Sequence, residues 1–251
     1  MPGPLLELAD AGLAYGSRQL WSGLSLHIMP GEFVAVLGAN GSGKTSLVRA
    51  VLGLQRLTSG TLRAAGDIGY VPQQRRIDPL TPLRARDVVG QGLDGHRWGL
   101  GRSAGRAARI GAALDAVGAA DLADMPIGLL SGGEQQRVRI AQALVADPRL
   151  LLCDEPLLSL DLRSQRTVTA VVDRRRREAD TAVVFVTHEI NPVLPYVDRV
   201  LYLAGGRFRV GTVEDVFTSA TLSELYGVPV EVVTVNGRIV VAGVPQDHHH
   251  G

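Results

Sequence analysis

The stretch Phe33–Leu52, FVAVLGANGSGKTSLVRAVL, decides the fold of this 251-residue chain. An apolar run, a glycine-rich turn and a segment with helical spacing follow one another, which predicts a buried strand, a loop and a helix. Residues 38–45 match the pattern G-x-x-x-x-G-K-[ST], whose backbone amides and following helix bind phosphate groups. The residues expected to form this cradle are Gly38, Asn40, Gly41, Ser42, Gly43, Lys44 and Thr45. The alternative is an ordinary strand–turn–helix in which the glycines only close a turn.

Lys44 stands out because the chain contains 25 arginines and a single lysine, which lies in this turn. Lysine is a point charge on a thin stem, whereas arginine is a bulky planar fork, so a tight phosphate cradle has room only for lysine. We therefore expect Lys44 to reach the outer phosphates of a nucleotide and the Thr45 hydroxyl to hold a magnesium ion.

The composition limits the classes of function. A length of 251 residues with 45% hydrophobic residues suits one large domain or two small ones with a sizeable core. The net charge of +1 predicts no nucleic-acid partner. A single cysteine, Cys153, suits a reducing compartment. Because the sequence shows no secretion signal and no apolar run long enough to span a bilayer, we expect a cytoplasmic protein that meets a membrane only through a partner.

Short strands are predicted on both sides of the phosphate turn. Leu5–Tyr15 and Leu24–Ile28 alternate apolar and polar residues, as half-buried antiparallel strands do. Gly60–Ala64 and Ile68–Val71 are two further strands. Tyr15, at the end of the first strand, is either a packing aromatic or a ring that stacks on a nucleotide base, and the sequence leaves both open.

Helical patterns replace strand patterns between about residues 80 and 148. Ser103–Val117 is alanine-rich and is predicted to be a helix with a serine cap. Gly90–Gly101 contains five glycines and is predicted to be an exposed loop. The arginines of this region are interpreted as a solvated face rather than a docking surface. They are Arg97, Arg102, Arg106 and Arg109.

The octet LSGGEQQR, residues 130–137, is predicted to open a helix running to Val145. Ser131, Gly132 and Gly133 would leave amides at the positive end of that helix, which gives the chain a second anion site. The alternative, a mere helix cap, is reasonable for serine and two glycines alone and weaker for the whole octet.

Two further buried strands end in residues that can carry chemistry. Residues 150–155, LLLCDE, place Asp154 and Glu155 at the carboxyl edge of a sheet, where open parallel sheets bind ligands. Asp154 could hold magnesium and Glu155 could polarise a water, although a salt-bridging role is the alternative. The strand Ala182–Thr187 leads to His188, which we expect at the same edge. The run Arg174–Arg177 is interpreted as solvated, because consecutive helical residues spread around the axis.

In these motifs the chain resembles the nucleotide-binding subunits of ATP-binding cassette (ABC) transporters, over about residues 5–227. The resemblance implies an α/β fold. Its P-loop NTPase core has a mixed sheet flanked by helices, with an N-terminal antiparallel β subdomain and an inserted helical subdomain, about residues 80–148, that carries LSGG. The ATPase domain would span residues 1–228, and residues 229–251 would form a C-terminal β-hairpin and a histidine-containing tail. The motifs, in the order of the family, are the phosphate loop, Gln73, LSGGEQQR, LLLCDEP, SLD at Asp161 and VTHE at His188.

The resemblance also implies a mechanism, in which two copies sandwich two ATP molecules with magnesium. Tyr15 would stack on adenine, and Lys44 with the loop amides would hold the phosphates. Thr45, Gln73 and Asp154 would order magnesium and water. Glu155 would be the general base, and His188 would contact the γ-phosphate. Ser131 and Gly133 would reach the nucleotide of the opposite copy, and Asp161 would help to join the two sites.

The stretch Glu189–Tyr202 and the following residues 210–232 resemble the corresponding part of importers of divalent transition metals, zinc or manganese. Siderophore importers share some of this resemblance. Such a subunit would work on the inner face of the membrane with an integral permease, and indirectly with an external metal-binding protein. Residues 230–241 are predicted to form a hairpin that turns at Asn236-Gly237. His248–His250 are either part of a disordered tail or weak metal ligands. Two other functions stay open: an ATPase of DNA repair, which would need long coiled coils, and an iron–sulfur assembly scaffold.

Overall fold

A computed structural model describes residues 3–73, 77–78, 80–94 and 105–243. The chain divides into two compact units. Unit 1 comprises residues 1–65 and 184–251, and unit 2 comprises residues 66–183. The predicted boundary at residue 228 and the insertion of residues 80–148 stay predictions.

The described residues form eleven strands and seven α-helices, with short 3₁₀ segments between some of them. The strands are β1 Leu6–Tyr15, β2 Arg18–Ile28, β3 Phe33–Gly38, β4 Ser59–Ala64, β5 Ile68–Val71, β6 Leu150–Asp154, β7 Ala182–Val186, β8 Arg199–Ala204, β9 Arg207–Gly211, β10 Glu231–Val235 and β11 Arg238–Ala242. The helices are α1 Lys44–Val51, α2 Ala85–Gln91, α3 Arg106–Ala116, α4 Gly132–Leu144, α5 Leu162–Ala179, α6 Val213–Val216 and α7 Ser219–Tyr226. None of these helices is long and apolar enough to cross a bilayer.

Unit 1 contains an antiparallel sheet in the order β2-β1-β4. Its alternating apolar side chains, such as Leu24, Leu26 and Ile28, are buried, which confirms the prediction of half-buried strands. The second strand begins at Arg18, six residues earlier than predicted, because β1 and β2 pair as far as the turn at Gly16-Ser17. The adjacent core strand β3 is buried over its apolar residues and lies parallel to β8, which pairs antiparallel with β9.

The hairpin predicted near the C-terminus is confirmed as β10 and β11. Asn236 (φ 50°) and Gly237 (φ 73°) form its two-residue turn, and positive φ at both positions is the geometry that favours Asn-Gly. Asn191 attaches the hairpin to unit 1, because its side-chain amide donates to the Ile239 oxygen and accepts from the Ile239 amide, both at 2.9 Å. His248–His250 lie outside the described residues.

Unit 2 contains the parallel pair β5 and β6, with every residue of β6 buried. Strand β7 begins in this unit, where the Ala182 amide donates to Arg149, and ends in unit 1, where the Thr187 amide donates to Val36. The mainly parallel strands with flanking helices confirm the predicted mixed α/β fold class.

The prediction of an exposed loop from Gly90 to Gly101 is wrong at its start. Gly90 and Gln91 belong to α2, and Gly90 is buried. At the end of this helix a side chain on Gly92 would collide with the Gln142 oxygen of α4, so the glycines here allow close helix packing. Residues 95–101 and the predicted serine cap at Ser103 lie outside the described residues, and α3 begins after Gly105.

The arginines interpreted as solvated also contact the protein. Arg109, Arg174 and Arg177 are exposed as expected, and Arg97 and Arg102 lie outside the described residues. Arg106 binds both carboxylate oxygens of Asp94, at 2.6 and 2.9 Å, and Arg109 donates to the Val145 oxygen at 3.0 Å. In the run 174–177, Arg176 and Arg177 both pair with the buried Asp173. The other two arginines of the run contact Ala116 and Asp147. The four side chains spread around the helix as expected, but each of them contacts another residue of the protein.

Candidate functional site

The phosphate loop joins β3 to α1 in a backbone conformation that requires glycine. Gly38, Gly41 and Gly43 have φ values of 144°, 73° and 99°. A Cβ atom on Gly38 would collide with the Leu203 oxygen, and one on Gly43 would lie 2.8 Å from the indole nitrogen of Trp21. The loop therefore packs against its surroundings through bare backbone, and a glycine-rich turn of this kind lets backbone amides approach an anion closely.

Lys44, the first residue of α1, folds back over this loop. The residue is only 6% exposed, and its Nζ donates to the Gly38 oxygen at 2.7 Å and to the Ala39 oxygen at 3.0 Å. The Ser42 hydroxyl is buried in the same loop with no hydrogen-bond partner among the described residues. The buried Lys44 cation suits a ligand that brings acceptor oxygens, and so does the Ser42 hydroxyl, which is buried with no described partner. The loop therefore fits a phosphate group.

Tyr15 is held by its hydroxyl while its ring stays half exposed. The hydroxyl donates to Gln55 Oε1 at 2.5 Å and lies 3.3 Å from Ser46 Oγ, and the residue is 51% exposed. An exposed ring with a fixed hydroxyl favours the stacking role over the packing role. Sequence reasoning missed Gln55 and Ser46 because they are 40 and 31 residues away along the chain.

The tight backbone contact of the loop gives a prediction for stability. We expect Gly38→Ala to lower the free energy of unfolding by more than about 3 kcal/mol, since it adds a collision with Leu203 to an unfavourable φ. Gly53→Ala is the matched control: Gly53 also has positive φ, at 71°, but a Cβ there meets nothing within 4 Å, so its cost should be about 1 kcal/mol. Urea unfolding of the two variants measures the difference, and equal costs would contradict the collision.

His188 lies in unit 1 with the phosphate loop. It is exposed and directly follows Thr187, whose amide donates to Val36 of β3, two residues before Gly38. The ends of β7 and β3 therefore bring His188 and the start of the loop to one edge of the sheet. The prediction that His188 shares this edge with Lys44 agrees with this arrangement, and its placement beside Asp154 and Glu155 stays a prediction.

Unit 2 carries a second group of predicted site residues, at the ends of β5 and β6. Val71 is in register with Cys153, so Gln73 and Glu155 each lie two residues beyond this pair on neighbouring strands. Asp154 is buried and Glu155 is partly exposed. Glu155 has a φ of 47°, and strained backbone of this kind in a residue other than glycine is concentrated at functional sites. The adjacent Cys153 is unreactive, since burial raises the pKa of its thiol.

The Ser131 turn opens α4 as a capping box. The Ser131 amide and hydroxyl both donate to Glu134 Oε2 at 2.7 Å, and the Glu134 amide approaches Ser131 Oγ at 3.4 Å. These hydrogen bonds hold the pKa of Glu134 below its usual range. Ser131 therefore caps α4, while its role in a second anion site stays a prediction, and the spacing S-x-x-E could have revealed Glu134 from the sequence.

Asp161 caps α5 next to this turn. Its carboxylate accepts hydrogen bonds from the Arg163 and Ser164 amides at 2.9 and 3.0 Å, and from the Ser164 hydroxyl at 2.7 Å. A cleft of about 450 Å³ lies between the first turns of α4 and α5. Its lining residues are Ser131, Gly133, Glu134, Arg137, Arg163, Ser164 and Thr167. The arginines give this second candidate anion site a positive rim.

Residues 21–158, more than half of the chain, match the family described as ABC transporter. The chain belongs to the ABC transporter family. The zinc import ATP-binding protein ZnuC of Photorhabdus laumondii is 35% identical over 225 residues, which cover 89% of this chain and 84% of the relative. The aliphatic sulfonates import ATP-binding protein SsuB 3 of Nocardia farcinica is 43% identical over 202 residues, which cover 80% of this chain and 78% of the relative.

Solved structures agree with this assignment to the ABC transporter family. One, titled as an inward-facing conformation of a metal-chelate type ABC transporter, has a TM-score of 0.83 and 28% identity over 95% of this chain and 96% of its own. Another, cbiO1 of Clostridium perfringens, part of the transporter complex cbiONQ, has a TM-score of 0.75 and 26% identity over 89% of this chain and 94% of its own. The chain is therefore an ATP-binding ATPase of the ABC type.

Proposed function

We propose that this chain is the ATP-hydrolysing subunit that energises import of a divalent transition metal, zinc or manganese, through a separate membrane permease. The length of the matches to zinc-import relatives supports this proposal. Three of them are 34–36% identical over 225–229 residues, about nine tenths of the chain. The similarity to the metal-chelate transporter, which spans nearly the whole chain, points in the same direction.

Sulfonate import is the second candidate. It is favoured by the higher identity to the sulfonate relative, although that match covers a shorter part of this chain. The phosphate loop and the carboxylates serve ATP in either case, so the sites described above do not distinguish the two cargoes. Transport measurements in cells are therefore needed to distinguish metal import from sulfonate import.

The residues that we propose to act on ATP belong to both units. In unit 1, Tyr15 stacks on the adenine, and Lys44 binds the outer phosphates together with the backbone amides of residues 38–45. The buried cation and the bare-backbone loop described above support the phosphate-binding role, and the exposed Tyr15 ring with its held hydroxyl supports the stacking role. His188 contacts the terminal phosphate from the end of β7.

In unit 2, Glu155 accepts the proton of the attacking water, and Gln73 orients that water. Gln73 and Asp154, with Thr45 of unit 1, are the residues that would hold magnesium, whose charge would offset that of the phosphates when it is bound. Oxygen ligands and a buried carboxylate suit this hard cation. In this proposal, Ser131 and Gly133 bind the nucleotide held by a second copy of the chain, and Asp161 helps to join the two sites. Hydrolysis then removes the charge that bridges the copies.

An exposed apolar surface in unit 2 suits the permease. Leu83 and Met125, which are 38 and 43% exposed, form this surface, and the neighbouring parts of the chain expose Leu80 and Leu129 as well, at 88 and 65%. Backbone hydrogen bonds from Ala85 to Met125 and from Ile127 to Leu83 hold Leu83 and Met125 side by side. Arg84 and Arg86 both pair with Asp124, which gives this surface a polar rim. We propose that the permease docks here, which would place the subunit on the inner face of the membrane and link it indirectly to an external metal-binding protein.

Uptake measurements in the source organism test the cargo. We expect deletion of the gene to lower uptake of radioactive zinc or manganese by about tenfold, and plasmid-borne wild type, but not Glu155→Gln, to restore it. Uptake of iron and growth on a sulfonate as the sole sulfur source should be unchanged. Loss of growth on sulfonate with normal metal uptake would favour the second candidate. Loss of iron uptake alone would point to siderophore import, and normal transport of every cargo would favour an assembly scaffold.

A further inference from the structure

Gly133 and Ser164 bring the first turns of α4 and α5 into direct contact. A Cβ atom built on Gly133 would lie 2.5 Å from Ser164 Oγ and 3.0 Å from Ser164 Cβ. Gly133 is helical and its φ is not positive, so its backbone conformation would accept any residue. The contact with Ser164 is therefore a steric reason for glycine at this position, separate from any contact with a phosphate.

The same serine hydroxyl binds the Asp161 carboxylate. Ser164 Oγ donates to Asp161 Oδ2 at 2.7 Å, while the Arg163 and Ser164 amides donate to Oδ1. These donors hold the pKa of Asp161 below its ordinary value. One side chain thus touches both turns that border the cleft between α4 and α5.

We propose that Ser164 is a positioning residue that couples the Asp161 turn to the Ser131–Gly133 turn. A shift of the Asp161 carboxylate moves the Ser164 hydroxyl that donates to it. The Gly133 backbone must then move as well, because it packs directly against Ser164. The inference rests on the proposed role of Ser131 and Gly133 as nucleotide contacts. Under that role, Ser164 sets the geometry of the second anion site without touching the nucleotide.

Ser164→Ala tests the hydrogen-bonded half of this coupling. We expect kcat for ATP hydrolysis to fall about tenfold while KM stays within twofold, since Lys44 and its loop are untouched. Thr169→Val is the matched control: Thr169 lies on the same helix outside the cleft, and its hydroxyl donates to the Gln165 oxygen of that helix at 2.8 Å. An unchanged kcat in Ser164→Ala, or an equal loss in the control, would overturn the proposal.

A carboxyl titration gives a readout that does not depend on turnover. In ¹³C NMR spectra of the full chain, Ser164→Ala should raise the pKa of Asp161, because the carboxylate loses its side-chain donor. Thr169→Val should leave the pKa of Asp161 unchanged. An Asp161 pKa that is the same in wild type and Ser164→Ala would show that the hydroxyl does not hold this carboxylate, and would overturn the coupling.

The steric half is tested by rescue. Gly133→Ala should lower the melting temperature by about 5 °C when Ser164 is present, and by much less in the Ser164→Gly background, where the colliding atoms are gone. Equal effects in both backgrounds would refute the contact. Because melting and titration need no ATP turnover, a chain that shows rescue and the pKa shift but no metal transport would keep this inference and reject the proposed function.

Discussion

Glu155→Gln should reduce the rate of ATP hydrolysis about a thousandfold while leaving the affinity for ATP within twofold of wild type. An amide has the size of the carboxylate but cannot accept a proton at neutral pH, so only the step that activates water is lost. The residue follows β6 in a strained conformation, and glutamine replaces glutamate without a change in shape. If two copies share the bound nucleotides, this variant should also accumulate as an ATP-bound dimer.

Phosphate release, calorimetry with ATP, and light scattering coupled to size-exclusion chromatography measure the three effects. Glu178→Gln is the matched control, because it removes the same charge from an exposed position near the end of α5 and should leave all three unchanged. Turnover that persists in Glu155→Gln would show that another group acts as the base. A variant that stays monomeric with ATP and magnesium would argue against the shared nucleotides.

Local patterns predicted the elements that carry their own start and stop signals. Helix α5, Leu162–Ala179, carries such signals at both ends, because Asp161 caps its first turn and Asp180 ends it with a φ of 50°. The buried strands β6 and β7 were also predicted, because short apolar runs that lead into polar residues are typical of buried strands. The phosphate loop could be predicted for a similar reason, because its function depends on backbone amides and glycines that are neighbours in the sequence.

Elements defined by tertiary packing were harder to predict. Helix α2 was missed because its glycines favour a loop locally, and only the packing of Gly92 against α4 explains them. Arg109 is exposed as expected, but its hydrogen bond to the Val145 oxygen, 36 residues further along the chain, was not predicted. Contacts of this kind have no signature in a single sequence, because donor and acceptor are brought together only by the fold.

The candidate site shows the same division. The motif residues were identified by type and order, but the groups that orient them were not. Gln55 holds the Tyr15 hydroxyl and Ser164 connects Asp161 with Gly133, and neither belongs to a motif. Glu134 is the exception, since its spacing from Ser131 is a local signal.

Lys44→Ala should lower the affinity for ATP by about a hundredfold, which corresponds to about 3 kcal/mol for a charge-assisted contact in a partly buried site. The ammonium group is buried and already rests on the Gly38 and Ala39 oxygens, so a phosphate entering the loop meets a cation that is in place. Arg49→Ala removes the same charge from an exposed position in the last turn of α1, and should change the affinity less than twofold.

Lys44→Arg separates charge from shape. It keeps the positive charge, but a planar guanidinium is larger than the ammonium that now lies between two carbonyl oxygens, so the variant should bind ATP nearly as weakly as Lys44→Ala. Calorimetry of the three variants under identical salt measures this comparison. Wild-type affinity in Lys44→Arg would mean that charge alone matters, and the single lysine among 25 arginines would then have no explanation in the size of the cradle. Wild-type affinity in Lys44→Ala would mean that the nucleotide binds elsewhere.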